Sequence, residues 1–293
     1  MPGPKVYLDY DQEALDAAYN QAAYAPNMDA LNLRRRQLSA EARLHLPAAL
    51  RLPYGPTEVE QLDVFQTDRP NAPIVVFLHG GAWRQQVAAN YSFLAENFLA
   101  AGAHFVAPDF VAVTDADGDL FAMVDQVRRA VAWVYQNAAS FGGDASRIYL
   151  GGHSSGSHLG SCVLMTDWQH DFGLPADVVK AAALCSGMYD LHPVSLSARS
   201  SYVAFTERMV DELSAIRHLD RITVPTIVAH GTNETPEFQR QARDFAAAAQ
   251  AGGRPVELLV GEGYNHFEIM ETFASPYGIC GRAALRLFGL DGK

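Results

Sequence analysis

What the sequence lacks narrows its function before any motif does. It has only three cysteines, Cys162, Cys185 and Cys280, with no Cys-x-x-Cys pair and no Cys/His spacing of a zinc site. That excludes a disulfide scaffold and predicts no metal centre. Apolar neighbours around each cysteine predict buried, reduced thiols. Basic charge is also scarce: 22 Lys+Arg stand against 33 Asp+Glu, a net charge of -11. Nucleic acid and anionic membranes both require basic surface, so neither is expected as a partner. No stretch approaches the ~18 consecutive apolar residues of a membrane helix. The opening MPGPKVYLDYDQEALDAAYN has neither the basic head nor the apolar run of a signal peptide. A cytoplasmic setting is therefore the expectation.

The composition is otherwise that of a globular protein, with 49% hydrophobic and 19% charged residues over 293 positions. One α/β domain with a small cap accounts for that length. From about Pro73 short apolar runs alternate with longer amphipathic ones. Ile74–His79, His104–Pro108, Ile148–Gly151, Lys180–Cys185, Thr226–His230 and Val256–Val260 read as buried strands. Asp119–Ala139 is the clearest helix, because Leu120, Met123, Val124, Val127, Val131 and Val134 recur at helical spacing. Tyr91–Ala101, Ser155–Thr166, Glu237–Ala249 and Phe267–Phe288 are further helices. This alternation predicts a mostly parallel sheet covered on both faces. Val59–Gln66 alternates like an antiparallel strand feeding an edge of that sheet. Residues 1–55 read as a helical segment near the site, with Arg34–Arg36 as a solvated helix face. Residues 191–218 break the rhythm and are expected to form a cap or lid.

In a parallel sheet, ligands bind at the carboxyl ends of the strands. There RIYLGGHSSGSHL places a strand, a Gly-x-Ser-x-Gly turn (Gly152 to Gly156) and a helix in succession. Ser154 takes the central position, where a tight turn lifts its oxygen toward the N-terminus of the following helix. Ser155 contributes its backbone amide, and Ser157 belongs to the helix. His153 is too close in sequence to act on Ser154, and His158 reads as a packing residue. A serine hydroxyl is a weak nucleophile that needs a base oriented by a third group. His266, in a loop after the last predicted strand, is the candidate base. Glu234, in the loop after Thr226–His230, is the candidate acid, with Asp190 as its rival and Glu237 set aside because it falls inside the next helix. The order Ser154, Glu234, His266 is that of an α/β-hydrolase. The segment His79-Gly80-Gly81-Ala82-Trp83 ends the first central strand, and the amides of Gly81, Ala82 and Ser155 are the expected oxyanion donors.

Taken together, HGGAW, FGGDASRIYLGGHSSGSHL, CSGMYDLHP, TPEFQRQARDF and NHFEI resemble the kynurenine formamidase (arylformamidase) branch of the α/β-hydrolases, as do LDAAYNQAAYAP and YGPTEVEQLDVF. The likeness implies an eight-stranded α/β-hydrolase sheet, no metal or organic cofactor, and a homodimer in many members. It implies Ser154 as nucleophile, His266 as base, Gly81 and Ala82 as oxyanion donors, and Glu234 at the position of the acid. Three residues depart from the family pattern: Ala82 stands for an aromatic residue, Ser155 for alanine and Glu234 for aspartate. The expected reaction is hydrolysis of N-formylkynurenine or a related N-acyl aryl amine through an acyl-enzyme. Trp83, Tyr189, Tyr202 and Phe205 are candidate substrate contacts. The alternatives are a short-acyl carboxylesterase, an amidase or carbamate hydrolase with another aromatic substrate, and a non-catalytic binding protein of the same fold.

Overall fold

Each central strand buries both of its faces, and the sheet follows from that. The structure is a computed structural model describing residues 3–292. In the strand Ala72–Leu78, Ile74, Val76 and Leu78 pack into one apolar core while Val75 and Phe77 pack into a second on the opposite side. Successive side chains alternate across a strand, so a continuous apolar run requires helices on both faces.

The sheet has eight strands: β1 (Leu50–Pro53), β2 (Gln61–Phe65), β3 (Ala72–Leu78), β4 (His104–Pro108), β5 (Gly143–His153), β6 (Val179–Cys185), β7 (Thr226–Gly231) and β8 (Val256–Gly261). Their spatial order is β1-β2-β4-β3-β5-β6-β7-β8. The β1–β2 and β2–β4 pairs are antiparallel and every other pair is parallel. This is the α/β-hydrolase fold. The helices are α1 (Gln12–Ala18), α2 (Met28–His45), α3 (Ala95–Ala100), α4 (Leu120–Asn137), α5 (Ser155–Leu164), α6 (Trp168–Phe172), α7 (Leu191–Ser195), α8 (Glu207–Glu212), α9 (Pro236–Ala251), α10 (His266–Glu271) and α11 (Ile279–Leu287). Among the described residues no helix is long and apolar enough to cross a membrane.

Three elements differ from the sequence reading. Strand β1 lies inside the segment read as helical. It has four residues, is largely exposed, and ends on a proline at the sheet edge, so no burial period reveals it. Because β1 covers it, β2 is the second strand in and not the edge. The helix expected over Phe267–Phe288 is two helices, separated by Ser275-Pro276. Gly278 then caps α11, and a Cβ there would strike the Thr272 carbonyl oxygen. The helix expected from Tyr91 begins as a 3-10 stretch (Ala88–Leu94) before α3.

Residues 191–218 fold as α7, α8 and two short 3-10 turns between β6 and β7. One buried imidazole joins this insert to the sheet. His158 on α5 is fully buried, its Nδ1 accepts from the Trp83 indole N–H at 3.2 Å, and its Nε2 donates to the Leu213 carbonyl at 3.0 Å. Both ring nitrogens are used by the neutral form, and desolvation pushes its pKa from 6.5 down to about 4. The folded state therefore resists a proton that the unfolded chain accepts. Stability is full above the unfolded value of 6.5 and is lost as pH falls from there toward about 4. Between about pH 7.5 and about pH 5 this group should remove roughly 2 kcal/mol. Urea unfolding of wild type and His158→Gln across that range checks it. The variant should show a flatter pH dependence, and equal slopes would remove His158 from the account.

Candidate active site

A tight turn follows β5. Ser154 has φ 56° and ψ −125°, and the glycines around it exist for close approach. A Cβ on Gly156 would collide with the carbonyl oxygens of Leu78 and His79, and one on Gly152 would lie 2.9 Å from the Gly156 carbonyl oxygen. Helix α5 can thus start directly beneath the end of β3. The Ser154 amide donates to the Cys185 carbonyl of β6 at 2.9 Å, and the Ser157 hydroxyl donates to the same oxygen at 2.7 Å. Ser157 is therefore occupied structurally, while the Ser154 hydroxyl turns toward His266.

His266 is the first residue of α10 and not a loop residue as expected. Asn265 caps the helix in a reciprocal capping box with Glu268, and Asn27 at the start of α2 bonds both. The His153 Nε2–H donates to the His266 carbonyl at 2.9 Å, fixing the backbone under the imidazole. Burial and the neighbouring His266 hold the His153 pKa well below the usual histidine value, which keeps that ring neutral. His266 Nε2 lies 2.9 Å from Ser154 Oγ, and Nδ1 lies 2.7 Å from Glu234 Oε2. With the Nδ1 proton directed at a carboxylate, Nε2 is left to accept from the serine.

Glu234 is 1% exposed, so its charge depends on donors. Oε1 accepts from the Ser186 hydroxyl at 2.6 Å and from the Gly231 amide at 2.7 Å; Oε2 faces His266 and, more weakly, the Gln21 amide at 3.4 Å. Asp190 is elsewhere: its carboxylate caps α7 by accepting from the His192 amide at 3.0 Å. Glu237 pairs with Arg240 and accepts from the Tyr19 hydroxyl.

The segment after β3, where the oxyanion donors are expected, is strained. Ala82 (φ 55°) and Trp83 (φ 64°) are left-handed without being glycine, and a Cβ on Gly81 would strike the Gln85 carbonyl. Among the described residues none accepts a hydrogen bond from the amides of Gly81, Ala82 or Ser155. His79 holds the loop through its own ring, stacked on Phe110 at 4.2 Å with Nδ1 2.9 Å from the Gly80 carbonyl.

Ser154, His266, Gly81 and Ala82 open on one cleft of about 760 Å³, within the usual range for small-molecule sites. Of the four candidate substrate contacts, only Tyr202 lines it. Trp83 is committed to His158 and is 2% exposed. Tyr189 is fully buried and stacks on Phe245 at 4.4 Å, because the chain after β6 turns toward α9. Phe205 lines a separate depression beside His192 and Arg208. The sequence reading missed Gln21, Ser186, Arg199 and Arg35; the first two lie within segments that carry the family resemblance, the arginines in segments without a motif. Arg35 was readable in principle: it shares a helical stripe with the buried Leu31, Ser39 and Ala42, whereas Arg34 and Arg36 face solvent.

Comparison with known proteins places the chain in a family. The family described as BD-FAE matches residues 62–248. A kynurenine formamidase of Danio rerio is 31% identical over 292 residues, covering 95% of this chain and 97% of its own. One from Salmo salar is also 31% identical, covering 90% and 92%. The chain belongs to the kynurenine formamidase family. As an α/β-hydrolase of that family it is a hydrolase acting on small molecules. The crystal structure of esterase LipW from Mycobacterium marinum superposes with a TM-score of 0.70 at 17% identity, over 93% of this chain and 90% of that one, and so shares the fold.

The Ser186 hydroxyl should be worth about 1–2 kcal/mol to the buried carboxylate. Ser186→Gly removes it at a position with φ 57° where glycine is unstrained. A fall in kcat of roughly tenfold is expected in both Ser186→Gly and Ser186→Ala. A wild-type kcat in the glycine variant would show that the hydroxyl does not matter.

Proposed function

We propose that this hydrolase cleaves N-formylkynurenine or a closely related N-acyl aryl amine through an acyl-enzyme on Ser154. The observation that carries the proposal is the unbroken buried chain from Ser154 Oγ through His266 to Glu234, next to three backbone amides with no acceptor. In the reading supported here, His266 Nε2 takes the serine proton as Oγ attacks the carbonyl carbon. The imidazolium that forms is held by Glu234, whose own charge is spread over Ser186 and the Gly231 amide. Negative charge developing on the carbonyl oxygen is met by the amides of Gly81, Ala82 and Ser155, which need no reorganisation to accept it. His266 then returns the proton to the departing aryl amine, and a water activated by the same nitrogen releases formate.

A formyl group needs almost no acyl pocket, and the aryl amine can lie along the cleft toward Tyr202, whose ring is stacked under the Arg84 guanidinium at 4.4 Å. No metal or organic cofactor enters these steps. We further propose that the enzyme works in the cytoplasm, where its three free, buried thiols would stay reduced, and that it assembles as the homodimer the family resemblance implies. A second reading, a short-acyl carboxylesterase, has one observation in its favour. Ala82 puts a methyl group where the family pattern expects an aromatic ring, which widens the wall beside the scissile bond.

Two measurements decide between these. A fluorophosphonate should label the wild type and Ser155→Ala but not Ser154→Ala, and an unlabelled folded wild type would return the protein to a binding role. The kcat/KM for N-formylkynurenine should match or exceed that for p-nitrophenyl acetate, and a value lower by orders of magnitude would favour the esterase. Glu234→Gln should lower kcat by about 10³–10⁴-fold with the fold intact.

A further inference from the structure

Among the described residues buried charges are paired, with two exceptions, and both exceptions line the cleft. Buried carboxylates have cationic partners: Glu60 pairs with Arg129, Asp63 with Arg43 and Arg51, Asp109 with Arg51, Glu237 with Arg240, and Glu234 faces His266. Arg35 and Arg199 are 3% and 9% exposed, and among the described residues neither forms an ion pair. Arg35 Nη2 donates to Asn32 Oδ1 at 2.9 Å, its guanidinium rests 5.1 Å from the Tyr91 ring centroid, and its Nε is unpartnered. Arg199 donates to the Tyr202 hydroxyl at 2.9 Å and to the Tyr19 carbonyl at 3.3 Å; its Nε is also unpartnered. It lies 5.5 Å from the Trp83 ring centroid and 5.9 Å from that of Phe238, which itself packs edge-on to His266.

The two arginines reach the same cleft from different parts of the chain, Arg35 from α2 and Arg199 from the 191–218 insert. The cleft is also lined by one carboxylate, Asp16, which is occupied by the Ala198 amide at 2.6 Å and by Gln12 at 3.0 Å. Arginine retains its charge on burial, and an uncompensated buried charge is costly unless a partner arrives. The planar fork of a guanidinium suits a carboxylate.

We propose that Arg35 and Arg199 form an anion subsite for a carboxylate on the leaving group of the substrate. The acyl side does not supply it, because the formyl group of the proposed reaction bears no acid. The proposal deepens the acyl-transfer reading of the same cleft and rests on it. N-formylkynurenine carries such a carboxylate, and aryl amides or esters without one are the poorer substrates.

The test uses two matched series and the purified full-length protein. One series consists of formanilides bearing an ortho carboxylic acid, from 2-formamidobenzoic acid to 4-(2-formamidophenyl)butanoic acid, each set against its primary amide. The other consists of 3-acetoxybenzoate against 3-acetoxybenzamide. Charged hydrogen bonds of this kind predict that at least one acid in each series exceeds its amide in kcat/KM by roughly tenfold to a hundredfold, mainly through KM. The same preference in the esters alone, with every formamide inert, would support the subsite and overturn the formamidase reading. No preference for any acid in either series would overturn the subsite. In Arg199→Gln and Arg35→Gln the acid-to-amide ratio should fall toward one, and an unchanged ratio in both would also overturn it. Arg199→Lys, which keeps charge but loses the fork, should retain an intermediate ratio, and the wild-type ratios stand even if a variant fails to fold.

Discussion

The buried carboxylate of Glu234 is the constraint around which the rest of this site is arranged. A charge with almost no solvent contact persists only where fixed donors replace the water. Here they come from separate parts of the chain: the Gly231 amide at the end of β7, the Ser186 hydroxyl after β6, the His266 imidazole at the start of α10 and the Gln21 side chain near the N-terminus. Each donor is useful only if its backbone is held to within a few tenths of an ångström. The parallel register of β6, β7 and β8 and the reciprocal cap at Asn265 therefore serve one electrostatic purpose. The longer reach of glutamate suits this arrangement. The side chain can fold back onto an amide three residues earlier while its other oxygen faces the imidazole.

Strain is placed on the same edge. Ala82, Trp83, Ser154 and Ser186 are non-glycine residues with positive φ, and they follow β3, β5 and β6 at their carboxyl ends. Such conformations cost on the order of 1–3 kcal/mol each and survive only where the surroundings over-determine them. At Ser154 the determining contacts are the carbonyl of Cys185 and the glycine beneath α5. At Trp83 the determining contact is His158. The imidazole that ties the 191–218 insert to the sheet thus also helps to hold the turn after β3.

The sheet and the hydrogen-bonded series of Ser154, His266 and Glu234 were legible in the sequence because they depend on short-range patterns. Val75 and Phe77 among apolar neighbours specify a strand buried on both faces, and glycine flanking Ser154 specifies a turn. His266 and Glu234 follow from chain order at strand ends. The walls of the cleft were not legible, since they depend on long-range packing. Nothing local distinguishes Tyr189, which the chain carries into the core against Phe245, from Tyr202, which it leaves at the cleft. Arg35 sits in a run of three arginines, and only rotation about the helix separates the buried one from its solvated neighbours. Strand β1 was lost for the converse reason: four mostly exposed residues carry no burial pattern, and pairing with β2 alone defines them.

The walls of the cleft consequently come largely from segments outside the sheet. The α2 helix and the 191–218 insert each contribute a guanidinium, and the turn after β3 contributes the small Ala82. Their cleft-lining side chains are distinct from the groups that tie these segments to the sheet, such as Arg43 on Asp63 of β2 and the Leu213 carbonyl on His158. Identity of 31% with two kynurenine formamidases over nearly the whole chain is compatible with a conserved reaction and an altered wall. An alanine methyl in place of an aromatic ring leaves the oxyanion amides where they are, since these are fixed by backbone angles. On the proposed reading, it enlarges the space next to the carbonyl, so tolerance for the acyl group would be governed at Ala82 and preference for a charged leaving group across the cleft at Arg35 and Arg199.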